Sequence, residues 1–234
     1  SDSPILLAGI AGQVGWELRR TLSVLGPVVA PSLEEMNFLD ADSIRACIRR
    51  VKPALIVNAA AYTNVDKAEE EKDAAWAINA KAPGILGEEA VRAGIGVIHY
   101  STDYVFDGRK KEGFREEDEP NPLNVYGRSK LQGERNLADS GAAYLTFRCA
   151  WIYGNRFSNI LNTILRLASS RDEIAFVRDQ TGCPTWSRTI RPRCWRACER
   201  KIVSQQVLRT WPGFTTSAPM IARLGMDSHQ RRCR

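Results

Sequence analysis

The sequence predicts an α/β protein with a Rossmann-like, doubly wound parallel sheet and helices on both faces, and three observations carry that prediction. Near-continuous apolar runs of strand length recur at Pro4–Ala8, Ala54–Asn58, Gly96–Tyr100 and Ala143–Arg148. They have the pattern of strands buried on both faces of a parallel sheet, not of strands with one wet side. Stretches of helical periodicity separate them, as βα repeats require. The first run ends in a glycine turn, Gly9-Ile10-Ala11-Gly12-Gln13-Val14-Gly15, that opens a helix-like segment.

Composition narrows the class. A chain of 234 residues with 44% hydrophobic content suffices for one sizeable core, or for a large and a small domain. No apolar run approaches the 18 or so residues of a membrane span, and no signal peptide precedes the first strand, so a cytoplasmic protein away from membranes is expected. The net charge of +6 comes from the tail. Residues 190–234 hold ten Lys or Arg against two Asp or Glu, leaving the preceding chain slightly acidic, which removes the case for a nucleic-acid partner. Six scattered cysteines and two histidines do not make a zinc pattern, because Cys194-x-x-x-Cys198 has no second pair; reduced thiols are expected and no metal.

In order along the chain, Gly9, Gly12 and Gly15 have a physical use if a dinucleotide lies there. Without Cβ atoms the backbone turns tightly and approaches a pyrophosphate, while the helix N-terminus offers unpaired N–H groups. The spacing is G-x-x-G-x-x-G, and a plain glycine turn is the bland alternative. A helix is expected over Trp16–Leu25, then a strand at Val28–Ala30. Pro31 and Ser32 follow it, where an acid would bind a ribose hydroxyl or an arginine a 2′-phosphate, so NAD and NADP stay open. Asn37-Phe38-Leu39 precedes a helix over Asp42–Arg50 with Asp42 as its cap; Phe38 suits an adenine face or core packing equally.

After the strand ending at Asn58, the small residues Ala59, Ala60 and Ala61 let a flat cofactor lie against the backbone, with Thr63 and Val65 turned into the same cleft. Lys67–Gly94 is helical, broken where Pro83 starts a second helix, and its charged run Lys67–Asp73 reads as a solvated face. The next strand delivers Ser101 and Thr102 to the carboxyl end of the sheet, the ligand side of such folds. A long acidic loop leads to Tyr126-Gly127-Arg128-Ser129-Lys130. On a helix running to Ser140, the i, i+4 spacing puts phenol and ammonium on one face. A positive charge beside the tyrosine is expected to favour its phenolate and make it an acid–base group. Cys149 to Gly154 ends a further strand, Ser158–Ser170 is an amphipathic helix, and Ala175–Val177 reads as a short strand.

Five stretches in this order, Gly12 to Leu18, Asn58 to Glu69, His99 to Asp107, Pro122 to Lys130 and Asp179 to Thr185, resemble the extended short-chain dehydrogenase/reductase superfamily and, within it, the dTDP-4-dehydrorhamnose reductase family. The resemblance covers roughly residues 4–189. It implies an NADPH- or NADH-dependent oxidoreductase that reduces the C4 keto group of a nucleotide sugar, with Thr102, Tyr126 and Lys130 as the catalytic trio. It further implies cofactor contacts from Gly9, Gly12, Gln13, Val14, Gly15, Asn37, Phe38, Leu39, Ala59, Ala60, Ala61, Tyr126 and Lys130. Sugar contacts would come from Thr63, Val65, Tyr104 and Trp151. Lys130 would hold the nicotinamide ribose and lower the Tyr126 pKa. A homodimer fits the family, and Glu17 matches a glutamate that some members use at a Mg²⁺-bridged dimer contact; here a solvent-exposed helix residue is the reading taken. Asn37 departs from the family's more usual aspartate. The alternatives are a non-catalytic dinucleotide-binding regulatory subunit, against which the intact trio speaks, and another nucleotide-sugar reductase or epimerase.

Beyond Trp186 the resemblance stops, although family members continue for roughly a hundred residues. Residues 190–234 are Arg- and Cys-rich without sustained apolar period. Codons compatible with Trp211–Ser228, read two bases on, spell a stretch resembling the family's Gly-Leu-Tyr-His strand and the helix after it. The expectation is therefore a dinucleotide-binding domain over 1–189 and a basic tail over 190–234 that is not natively folded, arising from a frame shift near Thr189 or standing as a genuine basic tail. The substrate lobe is then incomplete, and activity is expected to be impaired.

Overall fold

The computed structural model describes residues 3–110, 112–175, 180 and 182–190, and the backbone of 220–223. Its sheet has six strands, β1 (Ile5–Ala8), β2 (Val28–Val29), β3 (Leu55–Asn58), β4 (Gly96–Thr102), β5 (Ala143–Cys149) and β8 (Met220–Arg223), in the order β2-β1-β3-β4-β5-β8 and all parallel. The expected apolar runs are β1 to β5, whereas β8 comes from the tail that was not expected to join the fold; β1, β3 and β4 are buried along their whole length.

Alternation along the strands divides the core in two. Ile5, Leu7, Val57, Ile98 and Phe147 face α1 (Gln13–Leu22), which buries Leu18 and Leu22 against them. Leu6, Ile56 and Val97 face the other way, towards Ile44 and Ile48 of α2 (Ala41–Val51), Leu86 and Ala90 of α5 (Ala82–Ala93) and Leu137 of α6 (Val125–Asp139). Each such side chain stabilises the fold by about 1.5–3 kcal/mol of transfer free energy.

The chain passes from β1 to β2 on one side, then crosses to β3 on the other side of β1. A crevice therefore opens at the carboxyl ends of β1 and β3, where α/β folds bind ligands. Two further strands, β6 (Ile152–Tyr153) and β7 (Thr185–Trp186), pair beside it, and α7 (Ile160–Ala168) follows β6.

Several boundaries differ from expectation. The first helix starts at Gln13 and stops at Leu22, because Gly12 acts as N-cap and the glycine turn is used up sooner than the apolar period suggests. The cap of α2 is Asp40, whose carboxylate accepts from the Asp42 N–H at 2.9 Å, so Asp42 is not the cap. Pro83 lies in the first turn of α5, but no break precedes it: α4 (Lys72–Trp76) runs through a π-helical turn, Ala77–Lys81, into α5. Of the strand expected at Ala175–Val177, Phe176 and Val177 lie outside the described residues. So does the tail, apart from Ile190 and the edge strand β8.

Candidate active site

The glycine turn is a cradle built by close approach. Gly9 has φ +83°, and a Cβ there would run into the backbone of Ala59 and Ala60; one on Gly15 would strike the Gly9 carbonyl. These two glycines let the ends of β1 and β3 and the start of α1 pack together. Gly12 is different: a Cβ there would meet only the Gly9 carbonyl, at 3.5 Å. No side chain caps the α1 N-terminus, so its first N–H groups are left for a ligand.

Opposite the cradle stands α6. Its N-terminus is fixed twice, by Asn124 Oδ1 accepting from the Gly127 N–H at 2.7 Å and by the Glu69 carboxylate accepting from the Val125 N–H at 2.7 Å. The helix thus opens at Val125, one residue before Tyr126. Gly127 lies so close to the Tyr104 carbonyl that a Cβ would collide with it, and this approach brings Tyr126 over the end of β4. Tyr126 meets Tyr104 edge to face, with centroids 5.5 Å apart. Below them Asn79, in the π-helical turn, donates to the Tyr62 carbonyl and to Ser129 Oγ and accepts from the Tyr62 N–H. One side chain thereby ties the loop after β3 to α6.

Thr102 sits at the last position of β4, and its Oγ1 accepts from the Tyr104 N–H at 3.2 Å. Lys130 is fully buried, and its Nζ donates to the Tyr100 carbonyl at 2.6 Å and lies 3.4 Å from His99 Nε2. Burial decides the proton affinities. Desolvation pushes the Tyr126 phenol up to about 12, although its hydrogen bond with Thr102 pulls the other way. Desolvation also brings Lys130 down to about 8, with Glu134 and Cys149 opposing it. The expectation that Lys130 would lower the Tyr126 pKa is therefore overturned. Withdrawal of the phenolate from water is the largest influence, and the ammonium is engaged with the Tyr100 carbonyl.

Cradle and trio face one cleft of about 450 Å³. Of the residues expected from sequence, its walls include Gly12, Gln13, Val14, Ala59, Ala61, Thr63, Val65, Thr102, Tyr104, Tyr126, Lys130 and Trp151. Gly9, Gly15 and Ala60 lie behind the wall as packing elements. Asn37, Phe38 and Leu39 are elsewhere: the Phe38 ring is buried with Met36 and Ile44, and Leu39 is exposed. The reading of Glu17 as a solvent-exposed residue is corrected, since its carboxylate is largely covered and lies 3.7 Å from Arg188 and 3.8 Å from Arg20.

Sequence reasoning missed Asp103, Phe157 and Ser158 in the walls, and His99 beneath them. Trp151 and Phe157 share a sign that no residue type reveals: both hold positive φ, +43° and +64°. Such backbone costs of order 1–3 kcal/mol per residue and gathers at ligand sites. The Gly182 backbone packs against the Trp151 indole so closely that a Cβ there would clash, which supports the strained residue from outside.

Residues 3–217 match the RmlD substrate binding domain family. The chain belongs to that family. Among members of known sequence it is 47% identical over 186 residues to dTDP-4-dehydrorhamnose reductase of Burkholderia thailandensis, covering 80% of this chain and 62% of that protein. It is 44% identical over 185 residues to the Escherichia coli K12 enzyme of the same name, covering 77% of this chain and 62% of that one. The crystal structure of dTDP-4-dehydrorhamnose reductase from Bacillus anthracis in complex with NADP superposes with a TM-score of 0.82 at 28% identity, over 95% of this chain and 75% of that one. This RmlD-type chain thus spans 62% of the length of the two curated relatives.

Proposed function

We propose that the chain carries the catalytic and cofactor-binding part of an NADPH- or NADH-dependent reductase that converts the C4 keto group of dTDP-4-dehydro-L-rhamnose to the alcohol of dTDP-L-rhamnose. The meeting of Thr102, Tyr126 and Lys130 with an open helix N-terminus in a single cleft carries the reading; the relatives' names support the substrate. The cradle fits a pyrophosphate, because Gly9 and Gly15 close the turn while Gly12 leaves room. Gly12, Gln13 and Val14 would hold the pyrophosphate, Asn37 to Leu39 the adenosine end, and Ala59 to Ala61 the nicotinamide side.

The reduced dinucleotide supplies a hydride. Everything else falls to the chain. At neutral pH Tyr126 keeps its proton, as the acid for a carbonyl reduction must. Its O–H and the Thr102 hydroxyl would bind the keto oxygen, and the phenol proton passes to that oxygen as it becomes a hydroxyl. Lys130, with its amine anchored on the Tyr100 carbonyl, would bind the ribose. Thr63, Val65, Tyr104 and Trp151 would wall the sugar. A cytoplasmic homodimer, with residues 1–189 as the dinucleotide-binding domain and, apart from Ile190 and the edge strand β8, 190–234 as a tail outside the native fold, completes the proposal.

Oxidation of NAD(P)H by the full chain with dTDP-4-dehydro-L-rhamnose tests it. Tyr126→Phe is expected to cut the rate about 10²–10⁴-fold, the usual worth of a general acid, with dinucleotide affinity unchanged. Equal rates in the two proteins would remove Tyr126 from the chemistry.

A further inference from the structure

Beneath the cleft a line of polar groups runs from the Ala60 N–H through Asn58 and His99 to Lys130, and the reaction above leaves Asn58 and His99 unused. Its hydrogens can be assigned from one end. A backbone N–H only donates, and that of Ala60 lies 3.1 Å from Asn58 Oδ1, fixing this atom as the acceptor. The Asn58 amide NH2 is thereby turned to His99 Nδ1, also at 3.1 Å. A donor there demands a lone pair on Nδ1. Burial, together with the neighbouring Lys130 charge, holds the imidazole pKa well below its usual value, so the ring is neutral and its single proton is on Nε2.

We propose that His99, oriented by Asn58, is a positioning residue for Lys130, presenting to the lysine nitrogen an N–H in place of a lone pair. An N–H 3.4 Å from a full ammonium sets donor against donor; before a neutral amine it makes a hydrogen bond. The amine form satisfies the whole arrangement at once, donating to the Tyr100 carbonyl at 2.6 Å and accepting from His99. Other groups bear on Lys130. Glu134, one turn further along α6, and Cys149 on β5 both favour the ammonium, but the Glu134 carboxylate is already held by Arg148 at 2.6 and 3.0 Å. Tyr126, one turn earlier, is neutral. His99 is the nearest of these groups that favours the amine.

The consequence rests on the reductase reading. Each reduction takes a proton from Tyr126 and leaves a phenolate, which a proton drawn from the Lys130 ammonium restores. The amine so formed is held by the His99 N–H until solvent returns its proton. His99 thereby lowers the cost of the step in which the lysine is deprotonated.

The tautomer is measurable without substrate or cofactor. In a long-range ¹H–¹⁵N spectrum of the full chain at pH 7, with His229→Gln removing the only other histidine, His99 is expected as the neutral Nε2–H form. An Nδ1–H ring or an imidazolium would overturn the proposal. Asn58→Leu, uncharged and of similar size, removes the donor to Nδ1 and lets the ring offer Nε2 to the lysine. The Lys130 Nζ titration midpoint is then expected to rise by about one unit, and the limb of the rate–pH profile belonging to Lys130 with it; an unmoved midpoint in a folded variant would sink the idea. Should the variant not fold, the wild-type tautomer still decides. If NAD(P)H oxidation fails while the Nε2–H form is present, the reductase reading falls and the proton arrangement stands.

Discussion

Helices α6 and α7 reverse the usual relation between apolarity and burial. α6 carries a lysine, a glutamate and a serine to the inside, and Lys130, Glu134 and Ser129 are all buried. α7 reads Ile-Leu-Asn-Thr-Ile-Leu-Arg-Leu-Ala, and none of its residues is buried; Leu165 is 58% exposed. The difference lies in what stands opposite. α6 lies across β4 and β5, and every charge it buries meets a partner there: Arg148 for Glu134, the Tyr100 carbonyl for Lys130. α7 packs lightly beside β6, and among the described residues its stripe is only partly covered, with Ile160, Leu161 and Leu165 exposed. Burial is thus set by the neighbour an element finds, and a polar helix with partners goes deeper than an apolar one without them.

The largest test of that contrast is Glu134→Ala. Removing one member of a pair whose side chains are 7% and 9% exposed leaves the Arg148 guanidinium buried without its counter-charge. The expected loss is about 3–5 kcal/mol in urea unfolding, whereas the exposed pair of Arg115 with Glu117 should contribute little when broken in the same way. A cost below about 1 kcal/mol for Glu134→Ala would mean that α6 is wetter than the structure has it.

Lys130 sharpens the comparison through pH. Its ordinary pKa of 10.5 falls to about 8 in the fold. Between those values the unfolded chain binds more protons, so this residue makes stability rise with pH from about 8 to 10.5. Above pH 10 Tyr126, raised to about 12, works in the opposite direction, because there the folded chain holds the extra proton. Lys130→Met is expected to be the more stable protein at pH 7, by on the order of 2 kcal/mol, and to lose the rise between pH 8 and 10. An unchanged slope in that window would show Lys130 to be solvated.

These two helices also mark where sequence reading succeeds. The strands, the glycine turn and the pairing of Tyr126 with Lys130 on one helix were legible because each rests on local rules: apolar run length, missing Cβ atoms, helical period. The Tyr126 pKa was misread because the i, i+4 spacing shows the nearby charge but not the desolvation that outweighs it. His99 was passed over as a strand residue, since its meaning needs Asn58 and Lys130 from two other elements. The Glu69 carboxylate at the start of α6, 56 residues away, lay hidden in a charged run correctly read as a solvated face. Asp42 was read as the cap of α2, and the backbone geometry gives that place to Asp40, two residues earlier.

The smallest expected effect is the one that could break the comparison altogether. Leu137 in α6 is fully buried and Leu165 in α7 is not, so truncating each to alanine removes the same atoms from opposite environments. Leu137→Ala is expected to cost about 2–5 kcal/mol, because a cavity replaces packed methyl groups. Leu165→Ala should change stability by no more than about 0.5 kcal/mol, as surface substitutions do, and could improve solubility by shrinking an apolar patch that Ile160 and Leu161 continue. Paired urea melts of the full chain measure both. If Leu165→Ala also costs more than about 1 kcal/mol, the α7 stripe is covered in solution, and the contrast between the two helices is one of partner identity, not of presence.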